Sequence, residues 1–344
     1  MTVDNMLDKD FKNIISSVKQ DVLKTRYNVQ ETANMELIKL YFRIGKIISE
    51  YSEYGNKFIK EFSISLKLEF PNATGFSERN LSRMKKIYEV YGDLAILPPA
   101  VAKLPWTHNC LLLEKIKDTN IRIWYANKCL ENGWSKVVLD HQIDLKLYER
   151  QVNNSKLTNF EKSLPVVQSE LAKDIIKDPY IFELENIKET ATEKDIENAM
   201  IERIKNVLLE LGKGFSFVGN QYKISTENND YYIDMLFYHL ELRCYVVVEL
   251  KNVEFKPEFI GQLNFYATAV DETLKHKEDN STIGLLLCKG KDKLSVEWAL
   301  KGSNKPIGVS SHEVRNPLSQ EILSKLPTEE DINKYINVSD NDEI

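Results

Sequence analysis

From the N-terminus to about Arg150, apolar residues recur at helical spacing. Across 36–48, for example, Leu37, Leu40, Tyr41, Ile44, Ile47 and Ile48 fall on one stripe. Ser63, Ser77, Thr107 and Ser135 each precede such a run and predict helix starts, because a hydroxyl oxygen can accept from the free N–H groups of a first turn. Pro71, Gly75, Pro98, Pro99, Pro105 and Gly133 punctuate the runs. The pattern predicts an all-α domain of short helices over 1–150. It weakens over 151–190, where polar residues and two prolines predict a linker.

From Thr192 the period changes. A helix is predicted over 193–211, ended by Gly212 and Gly214. Strands follow at 215–225, 231–238 and 242–251, then a helix at 257–274 with proline in its first turn. The run 282–288 is apolar without alternation, as in a strand buried on both faces. A helix at 294–300 and a short strand at 307–310 complete an α-β-β-β-α-β-α-β order. The expected fold is therefore α+β in two domains: all-α, then an α/β domain with a mixed sheet over 191–326. Residues 327–344 read as a solvated acidic tail.

Composition narrows the class. Of 344 residues, 42% are apolar and 28% charged, and no run approaches the roughly 20 apolar residues of a membrane span. The N-terminus lacks an apolar signal region, and four widely spaced cysteines show no metal-binding spacing. Both predict a cytoplasmic protein with reduced thiols and no membrane partner. The net charge of −6 is uneven: 1–150 carries +4, 151–200 carries −4, 201–326 carries −1 and the last 18 residues carry −5. The acidity lies in the predicted linker and tail, so a nucleic-acid partner is not excluded.

Charges inside apolar strands carry the chemistry. Asp234 interrupts Tyr-Tyr-Ile-Asp-Met-Leu-Phe, and Glu249 and Lys251 stand at i and i+2, hence on one face, of Val-Val-Val-Glu-Leu-Lys. A hairpin turn near 239–241 brings Asp234 opposite residues near 247–249, so two carboxylates and a lysine converge. Adjacent buried carboxylates are costly unless neutralised, and Mg²⁺, with Mn²⁺ as a substitute, binds through one or two carboxylates plus water and phosphate. In-line attack on a phosphodiester suits such a site, with Lys251 positioning the water or balancing charge. No phosphate-binding loop or G-x-S-x-G sequence is present, and the histidines show no metal or triad spacing.

Asp234…Glu249-Leu-Lys251 resembles the bipartite signature of the PD-(D/E)XK nucleases, although Ile233 replaces the proline of the name. Gln262-Leu-Asn-Phe-Tyr266 is similar to the Q-x-x-x-Y motif of their RecB-like branch, which implies that Gln262 and Tyr266 contact phosphate or orient Lys251. More extended stretches resemble the YhcG-type bacterial family, a helical domain of unknown function joined to a nuclease domain. Among them are LLELGKGFSFVGNQYKI, YYIDMLFYHLELRCYVVVELK and PNATGFSERNLSRMKKIYEVY. The resemblance implies a restriction-endonuclease-like C-terminal fold, DNA as substrate and a defence, repair or mobile-element setting. It also implies a further acid from the first helix of that domain. Glu197, Glu202 and Glu210 are available, and Glu197 is favoured as a third metal ligand.

In the N-terminal half, Arg79, Arg83 and Lys86 share one face of a capped helix, as in a helix-turn-helix that meets DNA. A solvated face or a protein-partner surface remains the alternative there, as does a homo-oligomer for the whole chain. The leading expectation is a Mg²⁺-dependent DNA nuclease. The rival is a non-catalytic nucleic-acid-binding or assembly protein that keeps the nuclease fold.

Overall fold

A computed structural model describes residues 3–315, apart from 52–54, 93–96, 155, 185–186 and 188–189. The expected acidic tail lies outside the described residues. The chain forms two compact units, 1–141 and 142–344. Among the described residues, no helix is long and apolar enough to cross a membrane.

The first unit is helical: α1 (Val3–Glu50), α2 (Gly55–Glu69), α3 (Glu78–Tyr91), α4 (Pro99–Lys103), α5 (Trp106–Lys115), α6 (Thr119–Asn132) and α7 (Lys136–Asp144). Leu81, Met84, Ile87 and Tyr91 of α3 recur every three to four residues and are buried. α1 crosses α3 so closely that a Cβ at Gly45 would stand 1.9 Å from the Met84 carbonyl oxygen, which requires glycine there. Ser77 caps α3 by accepting from Asn80 N–H at 3.3 Å, and the Ser135 hydroxyl accepts from Val138 N–H at 3.3 Å.

Two expected caps differ. Ser63 lies inside α2, buried, where its hydroxyl donates to the Phe76 carbonyl at 2.7 Å. α5 starts at Trp106 behind Pro105, so Thr107 is not its cap. The stripe read at 37–48 also divides. Tyr41 and Ile48 are buried, whereas Leu37, Leu40 and Ile47 are exposed.

The second unit is built on one mixed sheet, ordered β1-β7-β6-β5-β4-β3, with β2 also paired to β7. Its strands are β1 (Leu157–Thr158), β2 (Tyr180–Glu183), β3 (Phe215–Ser225), β4 (Asp230–His239), β5 (Cys244–Glu254), β6 (Ile283–Gly290) and β7 (Ile307–Arg315). β3, β4 and β5 form an antiparallel meander, and β5, β6 and β7 run parallel. The parallel strands are linked through α12 (Glu258–Thr273) and α13 (Lys293–Lys301), as such crossovers require. Alternate residues enter two cores. Val246, Val248, Leu250, Leu285 and Leu287 join one, with Ile196, Met200, Val207 and Leu211; Val247, Leu286 and Cys288 join the other, with Leu263, Tyr266 and Val296. The helix expected over 193–211 is two, α10 (Glu193–Glu202) and α11 (Ile204–Leu211), broken at Arg203.

The expected linker over 151–190 is instead part of this unit. It carries β1, β2, α8 (Phe160–Ser163) and α9 (Val166–Ile175), and buries Phe160, Tyr180 and Phe182 in the first core. Its strands are too short to show a period. Its charges are hidden as partners: Asp178 accepts from Lys291 Nζ at 2.6 Å and from the Ser311 hydroxyl at 2.7 Å. Substituting Phe160→Ala should therefore cost about 3–5 kcal/mol, as for other buried aromatics. Chemical denaturation of the full chain reads that shift, and a linker residue would show none.

Candidate active site

The β4–β5 hairpin sets the site. Met235 lies opposite Val248, so Asp234 stands beside Glu249 across the ladder. The Asp234 carboxylate also accepts from the backbone N–H of Leu250 at 2.9 Å, which fixes its side chain against β5. Glu249 is buried on the same face of β5 as Lys251. Its Oε1 accepts from Lys251 Nζ at 2.9 Å and from Gln262 Nε2 at 2.8 Å. Gln262 also donates to the Tyr266 hydroxyl at 3.1 Å, one turn further along α12. The structure thus brings together Asp234, Glu249, Lys251, Gln262 and Tyr266.

Two residues that the strand and helix patterns did not single out complete the cluster. Glu193, at the start of α10, accepts from Lys251 Nζ at 3.0 Å and from the Asn252 N–H at 3.2 Å. Thr192 and Asp195 form a reciprocal capping box around it. That box was visible in the sequence, but it marks Glu193 only as a first-turn acid. Gln221 lies beyond a bulge in β3 with φ +43, a strained backbone for a side chain other than glycine. Its amide donates to both oxygens of Glu197 at 2.9 Å and approaches Asp234 Oδ1 at 3.4 Å. Nothing in a single sequence marks such a bend.

The three candidate helix acids separate. Glu197 is buried and faces the site, but both of its oxygens are engaged by Gln221. Glu202 is exposed. Glu210 is taken up elsewhere, by the Arg150 guanidinium and by the Ile181 N–H at 2.9 Å. In the helical unit, Arg83 pairs with Glu114, Arg79 lies 3.9 Å from the same carboxylate, and Lys86 is exposed.

Electrostatics follow from burial and crowding. Burial raises the Asp234 carboxyl above its ordinary range, against the Leu250 N–H and Lys251, with Glu197 and Glu193 adding to the rise. Glu249 is raised by burial and then by Asp234, with Lys251 opposing. Burial alone would lower Lys251, but Glu249 and Glu193 outweigh it and hold the ammonium protonated. An acid whose folded pKa is raised favours folding while it is protonated. Its contribution is lost as pH climbs from the ordinary carboxylate value towards the raised one, at about 1.4 kcal/mol per unit of difference. In chelator, the melting temperature should fall between pH 5 and 8 more steeply for the native chain than for Glu249→Gln. Equal slopes in the two thermal scans would contradict the assignment.

A divalent cation fits these residues. Glu249 Oε2 is buried without a hydrogen-bond partner, and Asp234 Oδ1 has only the long contact with Gln221. Among the described residues no three His, Cys, Asp or Glu side chains form a cage. A hard cation such as Mg²⁺ needs only one or two carboxylates, with waters completing its shell.

Comparison with known proteins agrees with the geometry. Residues 173–327 match the YhcG PDDEXK nuclease domain, and residues 17–150 match the DUF1016 N-terminal domain. The chain is 26% identical over 352 residues to the protein named "Putative nuclease YhcG" of Escherichia coli (strain K12), covering 92% of this chain and 93% of that one. Among solved structures, a repair endonuclease from Pyrococcus abyssi shares 13% identity over 38% of this chain and 50% of that one, with a TM-score of 0.25. An EndoMS–dsDNA complex shares 16% over 39% and 50%, with a TM-score of 0.26. Scores that low carry no argument. The chain is thus similar, in order along its length, to a DUF1016 N-terminal domain and a YhcG PDDEXK nuclease domain, and over most of its length to that putative nuclease.

Proposed function

We propose that the chain is a Mg²⁺-dependent nuclease that hydrolyses DNA phosphodiester bonds. The observation that carries this reading is the convergence of Asp234, Glu249 and Lys251 on one sheet face, with a buried Glu249 oxygen left without a partner. Asp234 and Glu249 would hold the cation, with Mn²⁺ as a substitute. When bound, that cation neutralises the crowded carboxylates and lowers the pKa of a water.

The remaining roles belong to the chain itself. Lys251 stays charged between Glu249 and Glu193, so it acts as a hydrogen-bond donor to a phosphate oxygen or to the attacking water, not as a base. Gln262 turns Glu249 by holding Oε1, which leaves Oε2 open, and Tyr266 anchors Gln262. Glu197 acts through Gln221, which positions Asp234, and is not itself a ligand. In the helical unit, Lys86 and the exposed side of Arg79 supply phosphate contacts, whereas Arg83 serves chiefly as the partner of Glu114. DNA in a defence, repair or mobile-element setting follows the family resemblance.

Asp234→Ala and Lys251→Ala should each reduce metal-dependent DNA cleavage at least ~100-fold while circular dichroism stays native. Titration calorimetry should show Mn²⁺ binding that Asp234→Asn removes. Cutting at the native rate by either alanine variant would sink the catalytic reading. Absence of metal binding in the native chain would favour a non-catalytic DNA-binding protein. Matched RNA substrates cut as fast as DNA would overturn the substrate assignment.

A further inference from the structure

The side chain of Gln221 stands between two acids of the site. Met235 pairs with Asn220 on one side and with Val248 on the other, so one residue along, Gln221, Asp234 and Glu249 form a row across three strands. From that row Gln221 Nε2 reaches both Glu197 oxygens at 2.9 Å and Asp234 Oδ1 at 3.4 Å. Only the nitrogen end of an amide can face three carboxylate oxygens, so a partial positive charge sits among them. Glu197 is buried, and among the described residues this neutral amide is the sole hydrogen-bond partner of its carboxylate. Gln221 itself is exposed and holds φ +43, a left-handed conformation that asparagine and glycine adopt more readily than glutamine. A surface glutamine kept in that conformation, with its amide turned inward, fills a place that suits a cation.

We propose that Gln221 is a built-in substitute for a second divalent cation, which withholds Glu197 and limits the site to one ion per chain. The inference rests on the reading that Asp234 and Glu249 hold a first cation. That cation needs Glu249 Oε2 and Asp234 Oδ1, and neither has a close partner to give up. The Gln221 amide can therefore stay on Glu197 when the first ion binds. A second ion has no such access, because its place between Glu197 and Asp234 is taken. Without the amide, Glu197 and a shared Asp234 face that place, and two carboxylates are as many as a hard cation requires, with waters completing its shell. An ion at roughly 2.1 Å from each oxygen would draw the Glu197 carboxylate in by about 0.8 Å from its distance to the amide.

Calorimetric titration of the full chain with Mn²⁺ up to about 1 mM, without DNA, counts the ions. The native chain should bind one ion, and Gln221→Gly should bind two. Gln221→Asn should also bind two, since asparagine keeps the amide and suits the left-handed backbone but is one methylene too short to reach Glu197. Both replacements fit the backbone at this position, so circular dichroism should stay native. Adding Glu197→Gln to Gln221→Gly should return the count to one, which a general loosening of β3 would not do. Two ions on the native chain, or a single ion on either the glycine or the asparagine variant, would overturn the proposal. A native chain that binds no Mn²⁺ would overturn the metal reading itself, and this proposal with it.

Discussion

The C-terminal unit is organised around the burial of one carboxylate. Glu249 sits on the central antiparallel–parallel junction strand, with β4 on one side and β6 on the other. A charge in that position must be surrounded by donors, and each neighbour is a consequence. Lys251 follows two residues later on the same face, and Gln262 comes down from α12. Asp234 is drawn in by the β4 register and pinned by the Leu250 N–H. Moving β5 by one residue in register would send Glu249 and Lys251 to the opposite face of the sheet.

The lysine shows how the arrangement is fixed from two directions. Within β5 it has one partner, Glu249. Its second, Glu193, arrives from the first turn of α10, on the far side of the sheet's edge in sequence. A flexible ammonium held by two carboxylates loses its freedom to wander, and it also keeps its proton. Gln221 performs the matching task for Asp234 and Glu197, at the expense of a left-handed backbone in β3. Strain at a residue whose side chain joins two acids of the site is more readily explained by positioning than by folding.

How much of this could be read in the sequence depends on how local the signal is. Asp234, Glu249 and Lys251 were legible because a charge inside an apolar strand has no ordinary reason to be there, and period two fixes its face. Gln262 and Tyr266 were singled out by the resemblance to the Q-x-x-x-Y motif, and the i, i+4 rule adds only that they share one helix face. Glu193 and Gln221 were not legible, because their partners lie 58 and 24 residues away and local pattern assigns each a commonplace role. The core segment around Phe160 and Tyr180 was hidden for a related reason: strands of two and four residues show no period, and their burial depends on β7, over a hundred residues later. On α1 the stripe at 37–48 was visible, but which half of it meets α3 depends on the helix crossing at Gly45.

The treatment of buried acids separates structural charge from chemical charge. Four acids are buried among the described residues: Asp178, Glu197, Glu210 and Glu249. Asp178 has Lys291 to itself, and Glu210 has Arg150 with Lys177 nearby. Glu197 has no cation and relies on a neutral amide. Glu249 shares Lys251 with Glu193, while Asp234 crowds the same ammonium. The fold therefore neutralises buried carboxylates wherever they only hold structure together, and leaves negative charge in surplus at one place. Asp234, Glu249, Glu193 and Glu197 gathered around the single lysine Lys251 are an arrangement that folding alone would not favour, since unpaired buried charge is costly. A site proposed to receive its positive charge from outside the chain would require that surplus.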